Sequence, residues 1–318
     1  MIKIKKKILF QSEFNIPGKP AVVCTPAQLK LISEFNRKVR NGEITFESVV
    51  CLCGCHSFDL ISRVDRYGML QDTVLCCECG MVLSNPRMTG AEYANFYSSD
   101  LYRTCYDGEN YLSDYESRYT LKHGGHILEA VSRVLPVNSA TSVLEIGAGG
   151  GWNLLPFMEQ GASVLGIDYS PSLVALGKQH KIPMQQGTLD SVTGKYDVIV
   201  LNHVLEHFLD PLGALKKIHG FCKPAGIVYI SVPNILNFTI GQLQNAHTYY
   251  FTPYTLVRYC AQAGLGLCLS GEAQKIHFFA VFKPGKPVSR LDRRFRGNKI
   301  NFALVKAKTV IRRFWKRS

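Results

Sequence analysis

Val143-Leu144-Glu145-Ile146-Gly147-Ala148-Gly149-Gly150-Gly151-Trp152 decides how this chain is read. An apolar strand runs into a carboxylate, and glycines then turn the chain tightly into a helix. Without Cβ atoms the backbone there can take positive φ and approach a ligand closely. A dinucleotide fingerprint, G-x-G-x-x-G counted from Gly147, needs its third glycine at 152, which is Trp152. The spacing that fits is E-x-G-x-G-x-G, through Glu145, Gly147, Gly149 and Gly151. Seventeen residues past Gly151 the next strand ends in Gly166-Ile167-Asp168-Tyr169-Ser170-Pro171. A carboxylate at Asp168 can accept both hydroxyls of a ribose. Glu145, at the tip of the first strand, is placed for an ammonium or a bound water. A nucleoside bearing a cationic amino acid uses both carboxylates, whereas an NAD site has no need of Glu145.

Working outward, the texture after Pro136 is strand–helix alternation, the mark of a parallel sheet with crossover helices. Strands are expected over 142–146, 163–167, 198–201 and 227–232, then a closing pair over 267–271 and 277–282. Helices are expected over 152–160, 171–179, 211–221 and 253–263. Upstream, one helix is expected over 27–40, β-like runs over 57–63 and 73–75, and an amphipathic helix over 125–135. Seven tyrosines fall between Tyr93 and Tyr119, as a lid over the ligand or an apolar cap on the sheet.

These residues carry a resemblance. The chain resembles the class I S-adenosylmethionine-dependent methyltransferases over about 125–284. The match includes Glu145 to Gly151, Asp168, Tyr196-Asp-Val-Ile-Val-Leu-Asn-His-Val-Leu-Glu-His207, Lys223-Pro-Ala-Gly226 and Val232-Pro233-Asn234. The resemblance implies an α/β fold, a Rossmann-like seven-stranded class I methyltransferase sheet. It implies that Glu145, Gly147, Gly149 and Gly151 cradle the methionine part and that Asp168 holds the ribose. Gly187 to Leu189 border the adenine, and Asn202 and His203 sit under the cofactor. Thr188 departs from the acidic residue many relatives place near the adenine.

Eleven cysteines are present, and six of them (Cys51, Cys53, Cys55, Cys76, Cys77, Cys79) fall within 29 residues. Without a secretion signal such a cluster reads as a metal site before a disulfide framework. Zn²⁺ takes four thiolate or imidazole ligands from two short chelating turns. Cys76-Cys77-Glu78-Cys79-Gly80 supplies one turn through Cys76 and Cys79. The other is irregular: Cys51 with Cys53 is preferred, and Cys55 or His56 are alternatives. Four Cys ligands leave no open position, so the zinc is read as structural. The cluster resembles the N-terminal zinc-binding, ribbon-like module of a methyltransferase subgroup that includes sugar C-methyltransferases. Cys79-Gly-Met-Val-Leu-Ser-Asn-Pro-Arg87 and Phe96-Tyr97 carry that likeness. The competing reading is a group of reduced, buried cysteines.

Asn245-Ala246-His247-Thr248-Tyr249-Tyr250-Phe251-Thr252-Pro253 follows the fifth strand and resembles the His-containing acceptor loop of sugar and quinone-precursor methyltransferases. His247 is the general-base candidate, and Glu206 and His207 are the next. The resemblance to quinone-precursor O-methyltransferases also allows Glu206 and His207 to bind a divalent ion; the plain alternatives are a loop-bonding histidine and a packed Glu-His pair. Sugar C-methyltransferases place an acid before this His; here it is Ala246, which favours O- or N-methylation.

The net charge of +13 is concentrated at the ends. Residues 1–10 hold four Lys, and 286–318 hold twelve Lys/Arg against one Asp, leaving 21 basic and 23 acidic residues across 11–285. A near-neutral body is a poor groove reader, which argues against nucleic acid as partner. No apolar run reaches the roughly 18 residues of a membrane span. A soluble, cytoplasmic protein is expected, with possible peripheral membrane contact through the basic amphipathic tail 286–318. The expected organisation is a helix-bearing extension over 1–45, a zinc ribbon over 46–90, a Tyr-rich helical cap over 91–135 and an S-adenosylmethionine-binding domain over 136–285. The expected activity is methyl transfer to a nucleotide-linked or lipid-linked sugar, or a related small polar metabolite, in surface glycan synthesis. An RNA-modifying methyltransferase and a catalytically silent interaction protein are the alternatives.

Overall fold

The computed structural model describes residues 2–5, 16–107, 116–119, 123–237, 240–273 and 277–287. The tail expected over 286–318 therefore lies, from residue 288 on, outside the described residues, as do tyrosines 111 and 115. The described chain forms two units, one from residues 2–107 and 234–255, the other from 116–233 and 256–287.

The second unit is built on a seven-stranded sheet. Its order is Leu265–Ala273, His277–Pro284, Cys222–Pro233, Tyr196–Asn202, Ser142–Ile146, Ser163–Asp168, Met184–Gln186. The strands from Cys222–Pro233 to Met184–Gln186 run parallel, and His277–Pro284 enters antiparallel. Val198, Ile199, Val200 and Leu201 are all buried, as a strand covered on both faces requires. The chain lays strands outward from Ser142–Ile146 on one side, then crosses to Tyr196–Asn202 on the other. That reversal opens a crevice at the carboxyl ends of these two neighbours, where ligands bind in open parallel sheets. Helices Pro171–Gln179 and Pro211–Phe221 begin with proline, whose fixed φ suits the first helical position. Asp210 caps the latter, accepting from the Gly213 N–H at 2.9 Å. The single helix expected over 152–160 is instead a 3₁₀ turn, Trp152–Leu154, followed by Leu155–Glu159. Pro156 has no N–H to donate, so the α-helical ladder starts only around it. The helix expected over 125–135 stops at Ser132, ahead of Pro136.

The first unit carries a five-stranded sheet ordered Lys3–Lys5, Ser57–Val64, Leu70–Cys76, Val82–Ser84, Tyr249–Tyr250. Ser57–Val64 and Leu70–Cys76 form an antiparallel hairpin. Tyr249 and Tyr250 pair with Leu83 and Val82, so the segment that follows His247 supplies the sheet's last strand. Helix Pro26–Arg40 opens with a reciprocal capping box between Thr25 and Gln28. Its buried Phe35 meets Phe96 of helix Gly90–Ser98 edge to face, rings 6.2 Å apart. Tyr97, Tyr102 and Tyr106 extend this aromatic cluster, so the described tyrosines up to 106 pack inside the first unit. Among the described residues no helix is long and apolar enough to cross a membrane.

Candidate active site

The glycine turn sits at the crevice. Gly147 and Gly149 take φ of +65° and +57°, a conformation that costs a residue with a Cβ. A Cβ would also stand 2.5 Å from Val204 Cγ2 at Gly147 and 2.8 Å from the Trp152 ring at Gly149. Both space and dihedral therefore demand glycine. Asp168 is buried beside the turn, its Oδ2 accepting the Gly149 N–H and its Oδ1 the Ser170 N–H, both at 2.8 Å. It thus locks the glycine turn to the start of helix Pro171–Gln179. The Gly187 N–H donates to the Asp168 carbonyl at 2.9 Å, and buried Leu189 follows in a 3₁₀ turn capped by Thr188.

Glu145 is fully buried. Its Oε1 accepts from Asn153 Nδ2 at 2.7 Å, while Oε2 and Asn153 Oδ1 have no protein partner. Asn202 Oδ1, at the end of the neighbouring strand, is likewise buried and unmatched. Three orphaned oxygens beside a cradle that Cβ atoms would fill are the acceptors an ammonium-bearing nucleoside needs. The residues present fit such a ligand. Asn153 was not among the expected site residues, because a polar residue after Trp152 carries no signal until the turn is folded.

Burial pushes the Glu145 carboxyl up to about 8, helped by the nearby Asp168 charge and opposed by the Asn153 bond. Without a cationic ligand the group is therefore largely neutral at pH 7. A folded-state value above the ordinary carboxylate one means stability that is complete below about 4.5 and lost as pH rises through about 8. The ligand-free protein is expected to lose thermal stability over that window. Glu145→Gln, a neutral isostere, is expected to flatten the part of the slope that Glu145 causes. Melting curves of both proteins from pH 5 to 9 check this; parallel slopes would count against a buried neutral Glu145.

His203 takes φ of +60° and donates its N–H to the Ser231 carbonyl at 3.0 Å. Its Nδ1 lies 3.6 Å from Glu206 Oε1, and its ring centre is 4.2 Å from that of His277. Burial, then the neighbouring His203, holds His277 down to about 4, so it is neutral. Buried Glu206 and half-buried His207 occupy the 3₁₀ turn Leu205–His207 of the second unit.

His247 belongs to the first unit and is buried there. Its carbonyl accepts from Ser84 Oγ at 2.9 Å, its N–H donates to Gln244 O at 3.0 Å, and its ring packs 5.6 Å from Tyr250.

The cysteines of the first unit converge. The Sγ atoms of Cys51, Cys53, Cys76 and Cys79 all lie within 4.8 Å of one another, with Cys51–Cys79 at 3.5 Å and Cys53–Cys76 at 3.6 Å. Four thiolates at tetrahedral Zn–S distances stand about 3.8 Å apart, so the set fits that ion. Gly54 and Gly80, both at positive φ, close the two turns by donating to Cys51 O and Cys76 O. Cys55 bonds with Ser57 instead, and neither it nor His56 joins the four. The preferred ligand set is thus the one the fold brings together.

Residues 117–268 match the family described as a methyltransferase domain. The chain is 31% identical over 103 residues to the ubiquinone biosynthesis O-methyltransferase of Pseudomonas paraeruginosa, a match covering 29% of this chain and 44% of the relative. It is 32% identical over 104 residues to the enzyme of the same name from Acinetobacter baumannii, again covering 29% and 44%. The chain spans less than half the length of these curated relatives. Its fold is similar to that of Burkholderia thailandensis 1,6-didemethyltoxoflavin-N1-methyltransferase, solved with 1,6-didemethyltoxoflavin and S-adenosylhomocysteine bound. That likeness has a TM-score of 0.50 at 20% identity, covering 66% of this chain and 98% of the other. The family match spans just under half of the chain.

Proposed function

We propose that this protein transfers the S-methyl group of S-adenosylmethionine to a sugar or related small polar metabolite, in surface glycan synthesis. The observation that carries the cofactor assignment is the trio of orphaned acceptors, Glu145 Oε2, Asn153 Oδ1 and Asn202 Oδ1, beside the glycine turn. Glu145 takes the ligand ammonium, and Gly147, Gly149 and Gly151 let the backbone close on the methionine part. Asp168 takes the ribose hydroxyls while keeping its backbone bonds. Leu189 lies along the adenine, and His203 supports the cofactor from below. The sulfonium supplies an electrophilic methyl and leaves as the neutral thioether of S-adenosylhomocysteine. What remains for the protein is to align the acceptor in line and take its proton. His247 is assigned the proton, with Glu206 and His207 as the next candidates. Cys51, Cys53, Cys76 and Cys79 hold a structural Zn²⁺ that fixes the ribbon. The assignment of 46–90 as ribbon, 91–135 as cap and 286–318 as a tail touching anionic membrane rests on the sequence. So does a cytoplasmic, membrane-peripheral location.

A second reading, O-methylation of a phenolic quinone precursor, is favoured by the names of the matched relatives. It also suits Ala246, which stands where sugar C-methyltransferases carry an acid.

Calorimetry with S-adenosylhomocysteine tests the cofactor assignment. Wild type is expected to bind, and Asp168→Ala to bind about 30–100-fold more weakly with its fold retained, the worth of charge-assisted bonds to ribose. No binding by wild type would leave a catalytically silent interaction protein. A salt-sensitive shift of RNA by the full chain would instead favour nucleic acid.

A further inference from the structure

We propose that Asp65 and Arg66 are positioning residues for the acceptor loop, holding the backbone of 241–245 so that His247 is presented in one fixed geometry. This rests on the reading of that loop as the site of proton removal.

Asp65 and Arg66 stand in the turn joining strands Ser57–Val64 and Leu70–Cys76. Asp65 is buried, and its Oδ1 accepts the N–H groups of Tyr67 at 2.8 Å and Met69 at 3.0 Å, which closes its own turn. Its Oδ2 accepts the Asn245 N–H at 3.0 Å, from a residue 180 positions away; that N–H is shared with Tyr106 Oη at 3.1 Å, which itself donates to Oδ2 at 3.4 Å. Arg66 reaches the same loop twice more. Its N–H donates to Leu243 O at 2.8 Å, and Nη1 donates to Gly241 O at 3.2 Å. Nη2 donates to Tyr67 Oη at 2.9 Å, and the guanidinium lies over the Tyr67 and Tyr106 rings at 4.7 and 5.5 Å. Its aim is therefore fixed by stacking as well as by bonds.

The next three residues are held from elsewhere in the same unit. Tyr97 Oη donates to Ala246 O at 2.9 Å, Ser84 Oγ to His247 O at 2.9 Å, and the Ser84 N–H to Thr248 O at 3.0 Å. The loop carrying His247 thus has its backbone set by side chains and a strand of the first unit, one residue after another.

A carboxylate is a costly way to tie down a loop, because burying its charge forfeits hydration. Burial raises the Asp65 carboxyl to about 6, against the pull of N–H bonds from Met69, Asn245 and Tyr67. It is still ionised at pH 7. What the charge supplies is an acceptor for three N–H groups from two segments at once, at an orientation that a neutral amide cannot match. Asparagine there would turn an NH₂ donor toward an N–H donor.

Hydrogen exchange of the full-length protein tests the proposal. In Asp65→Asn, peptides over 241–250 are expected to exchange about ten- to a hundredfold faster, the loss due to one charge-assisted bond. Peptides over 57–64 and 70–76, and S-adenosylhomocysteine affinity, should stay as in wild type. The His247 imidazole signals, identified by their absence in His247→Gln, should shift and broaden, which a purely scaffolding Asp65 would not cause. Should Asp65→Asn fail to fold, Arg66→Gln serves, since it keeps the main-chain bond to Leu243 and removes the one to Gly241. It should loosen the 241–243 end alone. Wild-type exchange and unchanged imidazole signals in a folded variant would overturn the proposal. Full turnover in His247→Ala would instead overturn the proton assignment while leaving the loop result standing, so the two failures are distinct.

Discussion

His247→Ala is expected to cut turnover by roughly 10²–10⁴-fold, the usual worth of a positioned general base. Affinity for S-adenosylhomocysteine should hardly change, since the side chains assigned to that ligand (Glu145, Asn153, Asp168, Leu189, Asn202 and His203) do not include His247. The measurement is transfer of a labelled methyl group to two acceptor panels, nucleotide-linked sugars and ortho-diphenols. The panel that turns over also decides between the sugar and the quinone-precursor readings. A variant that keeps most of its activity would pass the role to Glu206 or His207. It would equally fit an acceptor that is already nucleophilic, such as an amine, for which alignment suffices. A variant that melts early would make His247 a structural residue, in keeping with its burial and its bond from Ser84.

The second large effect is expected at the thiols. Cys79→Ser should bring zinc content down from close to one per chain and unfold the hairpin Ser57–Val64 and Leu70–Cys76. Apparent binding free energies at structural zinc sites run to about 10–16 kcal/mol, and that energy is folding energy. Metal analysis with exchange over 46–90 checks both parts. The four Sγ atoms stand within 4.8 Å of one another, close to the mutual spacing of four thiolates around one ion. A fully folded, metal-free preparation with every thiol titratable would remove the zinc.

Much of the parallel sheet was legible because its strands are continuous apolar runs punctuated by Gly and Pro. Ser142–Ile146, Pro171–Gln179 and Pro211–Phe221 stand where those signals put them. Met184–Gln186 escaped because it is three residues long, with both glutamines exposed. Lys3–Lys5 and Tyr249–Tyr250 escaped for another reason. Each is a strand only by virtue of a distant partner, Ser57–Asp59 for one and Val82–Leu83 for the other. The site divides the same way. The four cysteines and the glycine turn are chelating or conformational patterns written in local spacing. Asn153 beside Glu145 and Asp65 beneath Asn245 are partnerships that exist only after folding, and nothing in their neighbours marks them.

The first unit is assembled from two stretches of chain, 2–107 and 234–255, with five strands of the seven-stranded sheet written between them. This has a consequence for how such a protein can diversify. A single recombination event inside the intervening stretch would separate the turn at Asp65 and Arg66 from the loop it grips, leaving Asn245 and Leu243 facing a stranger's turn. Two events, near 109 and near 234, would exchange five strands of the seven-stranded sheet and leave every bond of the grip in place. The hairpin turn and the distant loop are therefore expected to change together. The same gap orders synthesis: Val82–Ser84 is made more than 160 residues before Tyr249–Tyr250, so the five-stranded sheet waits for its last strand while those residues are translated.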